Sequence, residues 1–213
     1  KGIIELTGRK HCYATYNYED NNFDALDTSK TIYRNKVKLL YLDISYYIDP
    51  VNLYEIRQNI GKGCLIAYDA SHTLGLIMSG RFQSPLKEGA DILVGNTHKT
   101  LPGPQKALIV IREKKLGEKM LKTISGSLHS SIHTHHLIAL CITILEMEKY
   151  GKSYASQIIR NSNALGKELE YLGYQVRKSI TGNYSNNHQL HLYIDNTDGK
   201  KYSNLIRNNI STN

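Results

Sequence analysis

The sequence has no uninterrupted apolar run of the roughly 18 residues that a membrane span requires. Its N-terminal segment also lacks the basic start, apolar middle and small-residue cleavage site of a secretory signal. Cysteine is scarce: Cys12, Cys64 and Cys141 are widely spaced and form no CxxC pair, so we expect reduced thiols and no disulfide framework. These absences predict a cytoplasmic protein that does not enter a membrane.

The sequence also lacks the patterns typical of nucleic-acid, dinucleotide and metal sites. The 27 basic residues exceed the 19 acidic ones, but they are scattered and form no block, so we predict no nucleic-acid partner. No GxGxxG element supports a dinucleotide site. Four histidines lie close together without the carboxylate or cysteine spacing of familiar metal sites, and we therefore predict no metal. They are His129, His133, His135 and His136.

What is present is ordinary for a globular protein. Hydrophobic residues make up 40% of the 213 residues and charged residues 22%. This length suits one sizeable domain, alone or with part of another. The chain starts at a lysine without an initiator methionine and ends in a polar run, so we expect it to be a piece of a longer protein.

Short apolar runs alternate with helical patterns. Residues 38–43 and 64–69 have the length of strands, and the apolar residues of 49–63 between them have helical spacing, as in a parallel βαβ unit. Further runs follow at 91–95 and 107–111, and a connection of about ten residues favours their antiparallel pairing. The pattern predicts an α/β fold in which a mostly parallel, mixed sheet is flanked by helices.

The second half of the chain begins with helical patterns. Residues 135–150 are apolar over most of the circumference of a helix, which predicts burial against the sheet and an end at Gly151. A second helix is predicted over 153–172. From residue 174 onward polar and apolar residues alternate, so we predict a large domain at 1–173 and the start of a smaller α+β domain at 174–213.

Polar residues follow three of the predicted strands, where ligands bind in open α/β sheets. They are Ser45, then Asp69 with His72, and then the run 97–99, which ends in a lysine. Taken singly, each is typical of a turn or of a solvated surface. Together, a desolvated lysine can attack a carbonyl, and a neighbouring carboxylate can keep the pyridine nitrogen of pyridoxal phosphate protonated.

Two sequence elements carry a resemblance to a known family. YDASHTLGLI at 68–77 and ADILVGNTHKTLPGPQ at 90–105 resemble the signature of the serine hydroxymethyltransferases in order and spacing. The resemblance covers about residues 35–195 and implies the large domain of a fold-type-I, aspartate aminotransferase-like pyridoxal-phosphate enzyme. It further implies that Lys99 is the catalytic Schiff-base lysine, that Asp69 pairs with the pyridine nitrogen and that His72 stacks on the cofactor ring.

The same resemblance implies further cofactor contacts. Ser45 would lie near the phenolic oxygen of the cofactor, and Thr97 and His98 would lie beside the cofactor and its phosphate. Gly126 and Ser127 stand where the family has a loop that reaches the phosphate in the neighbouring subunit. A homodimer with a shared active site is therefore expected.

One departure from the family pattern concerns folate. Residues 101–107 read LPGPQKA, so two arginines of the usual pattern are missing, and Gln105 supplies no cation. This pattern is closer to divergent, threonine transaldolase-like members, which makes a role for tetrahydrofolate doubtful. The implied activity is retro-aldol cleavage or formation of the Cα–Cβ bond of a small β-hydroxy amino acid of the glycine, serine and threonine type.

Other readings of the same residues remain open. The same lysine and aspartate would serve an aminotransferase or a racemase, because one fold hosts many reactions. The missing arginines are also compatible with a catalytically inert module in which the fold serves dimerisation.

Overall fold

The computed structural model describes residues 3–129 and 131–193. Its helices are α1 (Ile3–Leu6), α2 (Ala25–Asn35), α3 (Leu53–Ile60), α4 (Leu74–Met78), α5 (Pro85–Glu88), α6 (Lys114–Thr123) and α7 (Thr134–Tyr171), and a π-helical turn covers Ile124–Leu128. Its strands are β1 (Tyr16–Asn17), β2 (Asn22–Phe23), β3 (Leu39–Asp43), β4 (Leu65–Asp69), β5 (Ile92–His98) and β6 (Pro102–Ile111). None of the described helices is both long and apolar enough to span a membrane.

The main sheet has the strand order β3-β4-β5-β6. Strands β3, β4 and β5 run parallel, whereas β6 pairs antiparallel with β5. The predicted mixed, mostly parallel sheet is therefore confirmed, and α3 forms the crossover between β3 and β4. Because the three parallel strands are neighbours, their carboxyl ends lie side by side at one edge of the sheet.

The two faces of this sheet differ in burial. One face is packed into the core through side chains that are at most 7% exposed, namely Leu40, Leu42, Ile66, Tyr68 and Leu93. The opposite face carries Leu39, Tyr41 and Leu65, which are 37–49% exposed. Strand residues alternate between faces, so the register places Tyr41, Asp43 and Asp69 together on this open face.

A tight hairpin joins β5 to β6. The sequence predicted a loop from Asn96 to Gln105, but the two strands extend further, and only Lys99–Leu101 forms the turn. Gly75 of α4 lies directly under this turn and donates its backbone N–H to Thr100 Oγ1 at 3.2 Å. A Cβ atom at Gly75 would collide with the Thr100 carbonyl, so the close approach requires glycine.

Helix α7 is one continuous helix of 38 residues, so the predicted end at Gly151 was wrong. Gly151 lies in the helix interior, where Met147 and Ser79 approach to 3.2 and 3.4 Å of the position that a Cβ would take. The predicted burial was also wrong, because only a narrow stripe is covered. The buried residues are Thr143, Met147, Gly151, Ala155, Ser162 and Gly166. Leu137, Ile138, Ile142 and Leu145 are 44–64% exposed.

After α7 the chain folds back onto this helix and onto the loop that follows β3. Asn163 on α7 accepts the backbone N–H of Tyr184 at 2.9 Å and donates to the Ser185 carbonyl at 2.8 Å. A single bridge pairs Val176 with Leu192. The predicted α+β domain from residue 174 onward remains a prediction, because residues 194–213 lie outside the described part of the chain.

Candidate active site

A lysine and a histidine meet at the carboxyl edge of the parallel strands. Lys99 begins the hairpin turn after β5, and His72 lies in the connection from β4 to α4. Lys99 Nζ is 3.0 Å from His72 Nε2. Thr100 holds the two segments together, because its hydroxyl donates to the His72 carbonyl at 2.8 Å and accepts the Gly75 N–H. These two hydrogen bonds of Thr100 therefore fix the segments that carry Lys99 and His72 relative to each other.

Charges on both sides act on His72. Burial and the Lys99 charge lower the pKa of His72, while the charges of Asp69 and Asp43 oppose that shift. The imidazole is thus uncharged at neutral pH, and its Nε2 can accept a hydrogen bond from the Lys99 amine. The charges of Asp69, Asp43 and Lys99 therefore all act on the His72 imidazole.

Asp69 is the last residue of β4. Its Oδ1 accepts the Ser71 backbone N–H at 2.8 Å, and its Oδ2 accepts the Tyr41 hydroxyl at 2.6 Å. Two bonds leave lone pairs free, since a carboxylate offers about four acceptor positions. Asp69 is only partly buried, so a ligand on the open face of the sheet can reach it.

Ser45 follows β3 at the same edge. Its hydroxyl donates weakly to Asp43 Oδ1 at 3.3 Å. Its carbonyl accepts Gln189 Nε2 at 2.8 Å, and Gln189 Oε1 accepts the Tyr47 backbone N–H at 3.0 Å. Asn187 adds a bond to the Tyr47 carbonyl at 2.7 Å. A segment that lies 140 residues further along the chain is therefore fixed to the loop after β3.

This fixed segment brings His188 to His72. The two imidazole rings lie nearly parallel, with an interplanar angle of 7° and 6.4 Å between centroids. Burial and the neighbouring His72 lower the pKa of His188. A second uncharged imidazole thus lies beside the one that contacts Lys99.

The remaining predicted residues lie in different surroundings. Thr97 is fully buried inside the hairpin, where its hydroxyl donates to the Pro104 carbonyl at 2.6 Å and accepts the Lys106 N–H at 3.1 Å. His98 is exposed at the end of β5. Gly126 and Ser127 lie on the exposed π-helical turn, and within the described ranges neither has a side-chain hydrogen bond to Lys99, His72 or Asp69. The structure therefore brings together Lys99, His72 and Asp69, with Ser45 at the same edge.

Sequence reasoning missed Tyr41 and His188. Tyr41 lies inside an apolar strand run, and its contact with Asp69 depends on the register between β3 and β4. His188 lies in the NHQLHLYID segment, which the resemblance marked only as the opening of the C-terminal domain. The alternation of polar and apolar residues in β3 was the only available signal, because it placed Tyr41 and Asp43 on one face.

Comparisons with known proteins identify the family of the chain. The family model described as serine hydroxymethyltransferase matches residues 4–213. The chain is 37% identical over 211 residues to a serine hydroxymethyltransferase of Methanocella arvoryzae, covering 98% of this chain and 49% of that protein. It is 39% identical over 186 residues to a fluorothreonine transaldolase of Streptantibioticus cattleyicolor, covering 85% of this chain and 29% of that protein.

A solved structure agrees as well. The crystal structure of L-threonine transaldolase from Pseudomonas fluorescens in its internal aldimine state superposes with a TM-score of 0.88 at 33% identity, covering 97% of this chain and 47% of that chain. The chain spans about half the length, or less, of these relatives. The family model and the long alignments nevertheless cover nearly all of its residues. The chain therefore belongs to the serine hydroxymethyltransferase family.

Proposed function

We propose that this chain is the cofactor-binding part of a pyridoxal-phosphate enzyme that cleaves or forms the Cα–Cβ bond of a small β-hydroxy amino acid. The observation that carries the proposal is the contact between Lys99 and His72 at the strand edge where Asp69 ends its strand. A nucleophilic amine and a carboxylate with free lone pairs are groups that this cofactor uses, and an uncharged imidazole lies beside the amine. The relatives named serine hydroxymethyltransferase and transaldolase support the same chemistry.

The residues present fit the cofactor. The open face of the sheet leaves room beside Asp69, which is held by two donors and retains acceptor positions for a protonated ring nitrogen. Lys99 would bind the aldehyde carbon, and His72 would lie along the ring. We assign the phenolic oxygen to Ser45, and the neighbourhood of the phosphate to His98 and to the backbone at Thr97.

The chain's own side chains supply positioning and a negative charge. Pyridoxal phosphate, when bound, supplies an aldehyde that captures amino groups and a ring that withdraws electrons from the adjacent carbon. The Lys99 amine is the nucleophile, and its contact with His72 Nε2 at 3.0 Å orients it. Asp69 would keep a positive charge on the ring nitrogen through ion pairing in a partly buried site.

We further propose that tetrahydrofolate is not required. Gln105, which lies exposed on β6 after the lysine turn, supplies no cation for an acidic ligand. Two relatives carry transaldolase names, and this supports an aldehyde, and not a folate, as the second substrate. The substrate would be a small amino acid such as glycine, serine or threonine.

A homodimer with a shared site is part of the proposal. The exposed apolar side chains of α7 favour a covering partner, since contiguous exposed apolar surface marks interfaces. Gly126 and Ser127 lie exposed on the turn that precedes α7, from which they would reach the phosphate of a second copy. The free cysteines Cys12, Cys64 and Cys141 support a reducing compartment, and we propose the cytoplasm.

One titration tests the proposed reaction. The full-length protein is mixed with pyridoxal phosphate, and its visible absorbance is recorded before and after glycine or threonine is added. We expect a visible band, a spectral change with either amino acid, and release of an aldehyde from threonine. Formation of a keto acid in place of an aldehyde would establish amino-group transfer, and a protein without any visible band would be an inert member of the family.

A further inference from the structure

The Asp69 carboxylate is held from two directions. Ser71, which lies two residues after the end of β4, donates its backbone N–H to Oδ1 at 2.8 Å. The Tyr41 hydroxyl donates to Oδ2 at 2.6 Å from the neighbouring strand. With both oxygens engaged, rotation of the carboxylate about its side-chain bond would break at least one charge-assisted hydrogen bond.

A second carboxylate lies beside it. The register between β3 and β4 pairs Asp43 with Asp69, and both side chains project from the open face. Like charges on adjacent strands repel one another, so each carboxylate is stabilised by a donor of its own. Tyr41 supplies the donor for Asp69, and Ser45 supplies a weaker one for Asp43.

The Tyr41 phenol is suited to remain a donor. Burial, the hydrogen bond to Asp69 and the charges of Asp69 and Asp43 all raise its pKa above the ordinary value of a tyrosine. The hydroxyl therefore stays protonated throughout the pH range in which an enzyme works. Tyr41 is nevertheless 46% exposed, so the core does not depend on its hydroxyl group.

We propose that Tyr41 is a positioning residue for Asp69, which fixes the carboxylate so that its free lone pairs face the ring nitrogen of the cofactor. The inference rests on the proposed function, because it assigns Tyr41 a role through the partner of that nitrogen. Tyr41 touches neither the substrate nor the reacting carbon in this assignment. It acts by limiting the orientation of Asp69.

Removal of one oxygen atom tests the role. In the full-length protein, Tyr41→Phe keeps the ring and deletes the donor to Asp69. We expect the dissociation constant for pyridoxal phosphate to rise about five- to tenfold, which is less than for the loss of a direct hydrogen bond to a charged group, because Tyr41 acts through Asp69. The matched control is Tyr54→Phe, which removes the hydroxyl of a tyrosine that is 65% exposed on α3. The control should bind the cofactor like the unaltered protein.

A spectroscopic readout separates positioning from packing. Without the Tyr41 hydroxyl, Asp69 can rotate and holds the proton on the ring nitrogen less firmly. The ring then withdraws electrons less strongly, so the Lys99 nitrogen, once bound to the cofactor, keeps its proton to higher pH. In Tyr41→Phe, the pH midpoint of the visible band should therefore rise by about half a unit. Circular dichroism and thermal melting of the cofactor-free variants check that both substituted proteins are folded.

The outcomes are distinct. A Tyr41→Phe protein that matches Tyr54→Phe in dissociation constant and in pH midpoint overturns the inference while leaving the proposed function intact. Weaker binding with an unchanged pH midpoint also overturns it, because the hydroxyl would then serve packing alone. If the unaltered protein shows no visible band with pyridoxal phosphate, the proposed function fails first, and the role of Tyr41 fails with it.

Discussion

Two lysine–histidine contacts occur within residues 3–129 and 131–193, and they differ in their surroundings. Lys99 Nζ lies 3.0 Å from His72 Nε2, and Lys106 Nζ lies 3.2 Å from His133 Nδ1. In each pair the partners are 27 residues apart. Both pairs therefore look alike in distance, chemistry and sequence separation.

Their environments separate them. The first pair lies at the edge of parallel strands, where Asp69 and Asp43 act on His72 and the fixed segment around His188 packs alongside. The second pair lies at the start of α7, where His135 and His136 crowd His133 with ring centroids 5.9 and 5.6 Å away. Within the described residues, no group of three or more histidines, cysteines, aspartates or glutamates is arranged to hold a metal.

The difference shows what a site needs beyond an amine and an imidazole. Around His72, the charges of Asp69 and Asp43 oppose that of Lys99, and the His188 ring packs alongside. Lys106 instead brings a positive charge to the positive end of the α7 dipole, which is unfavourable for cations. We therefore propose that Lys99 and His72 take part in the reaction, and we use Lys106 and His133 as a control within the same chain.

The largest expected effect comes from replacing Lys99 by methionine and comparing it with the same replacement at Lys106. Lys99→Met removes the amine that would bind the cofactor, so we expect loss of the visible band and a fall in turnover of about a thousandfold or more. Lys106→Met should leave both quantities within about threefold, because among the described residues no carboxylate forms an ion pair with Lys106. Absorbance with pyridoxal phosphate and aldehyde release from threonine measure the two effects. Equal losses in both variants would remove the distinction between the pairs.

The next effect concerns the backbone that positions Lys99. A methyl group on Gly75 would meet the Thr100 carbonyl and come within 2.7 Å of the Leu101 nitrogen, both of them backbone atoms that cannot turn aside. Gly75→Ala should therefore lower the free energy of unfolding by about 2–4 kcal/mol and displace the Lys99 turn. Urea unfolding measures the first quantity, and binding of pyridoxal phosphate reports the second.

Gly63→Ala is the matched control for that substitution. No atom lies within 4 Å of a Cβ built at Gly63, and the residue precedes β4 outside any helix. We expect a change in unfolding free energy within about 0.5 kcal/mol. A Gly75→Ala protein as stable as the Gly63→Ala protein would show that the turn can shift without cost.

Much of the sheet and the central site could be predicted from the sequence because their signals are local. The apolar runs at 38–43, 64–69, 91–95 and 107–111 each formed a strand, and the short link between the last two enforced antiparallel pairing. Asp69 ends the second of these strands, His72 lies three residues after it, and Lys99 directly follows the third. Their proximity results from the adjacency of parallel strands, and this adjacency is predictable from chain order.

The errors came from features that only packing determines. Gly151 has the residue type of a helix stop, but here it allows Met147 and Ser79 to approach a continuing helix. Tyr41 contacts Asp69 through strand register, and His188 reaches His72 through hydrogen bonds to a loop 140 residues earlier. No local pattern specifies such contacts, because they depend on where distant segments pack.

The smallest expected effect distinguishes the two histidine groups by pH and salt. Burial lowers the pKa of His188, so the unfolded chain binds more protons than the folded chain just below about pH 6.5. Its contribution to stability is present above that pH and is lost as the pH falls through the folded-state pKa. His188→Gln should reduce the loss of unfolding free energy between pH 7.5 and pH 5 by a few tenths of a kcal/mol, allowing for solvent screening.

His136 provides the comparison, because burial and its basic neighbours also lower its pKa. His136→Gln should likewise reduce the acid-induced loss, but the repulsion among exposed bases at the start of α7 is screened by salt. In molar salt the part of the His136→Gln effect that comes from repulsion by His135, Lys106 and His133 should shrink, while the effect of His188→Gln, which arises from burial and one neighbouring imidazole, should change less. Equal salt sensitivity of the two variants would indicate that His188 is exposed to solvent and is not packed beside His72.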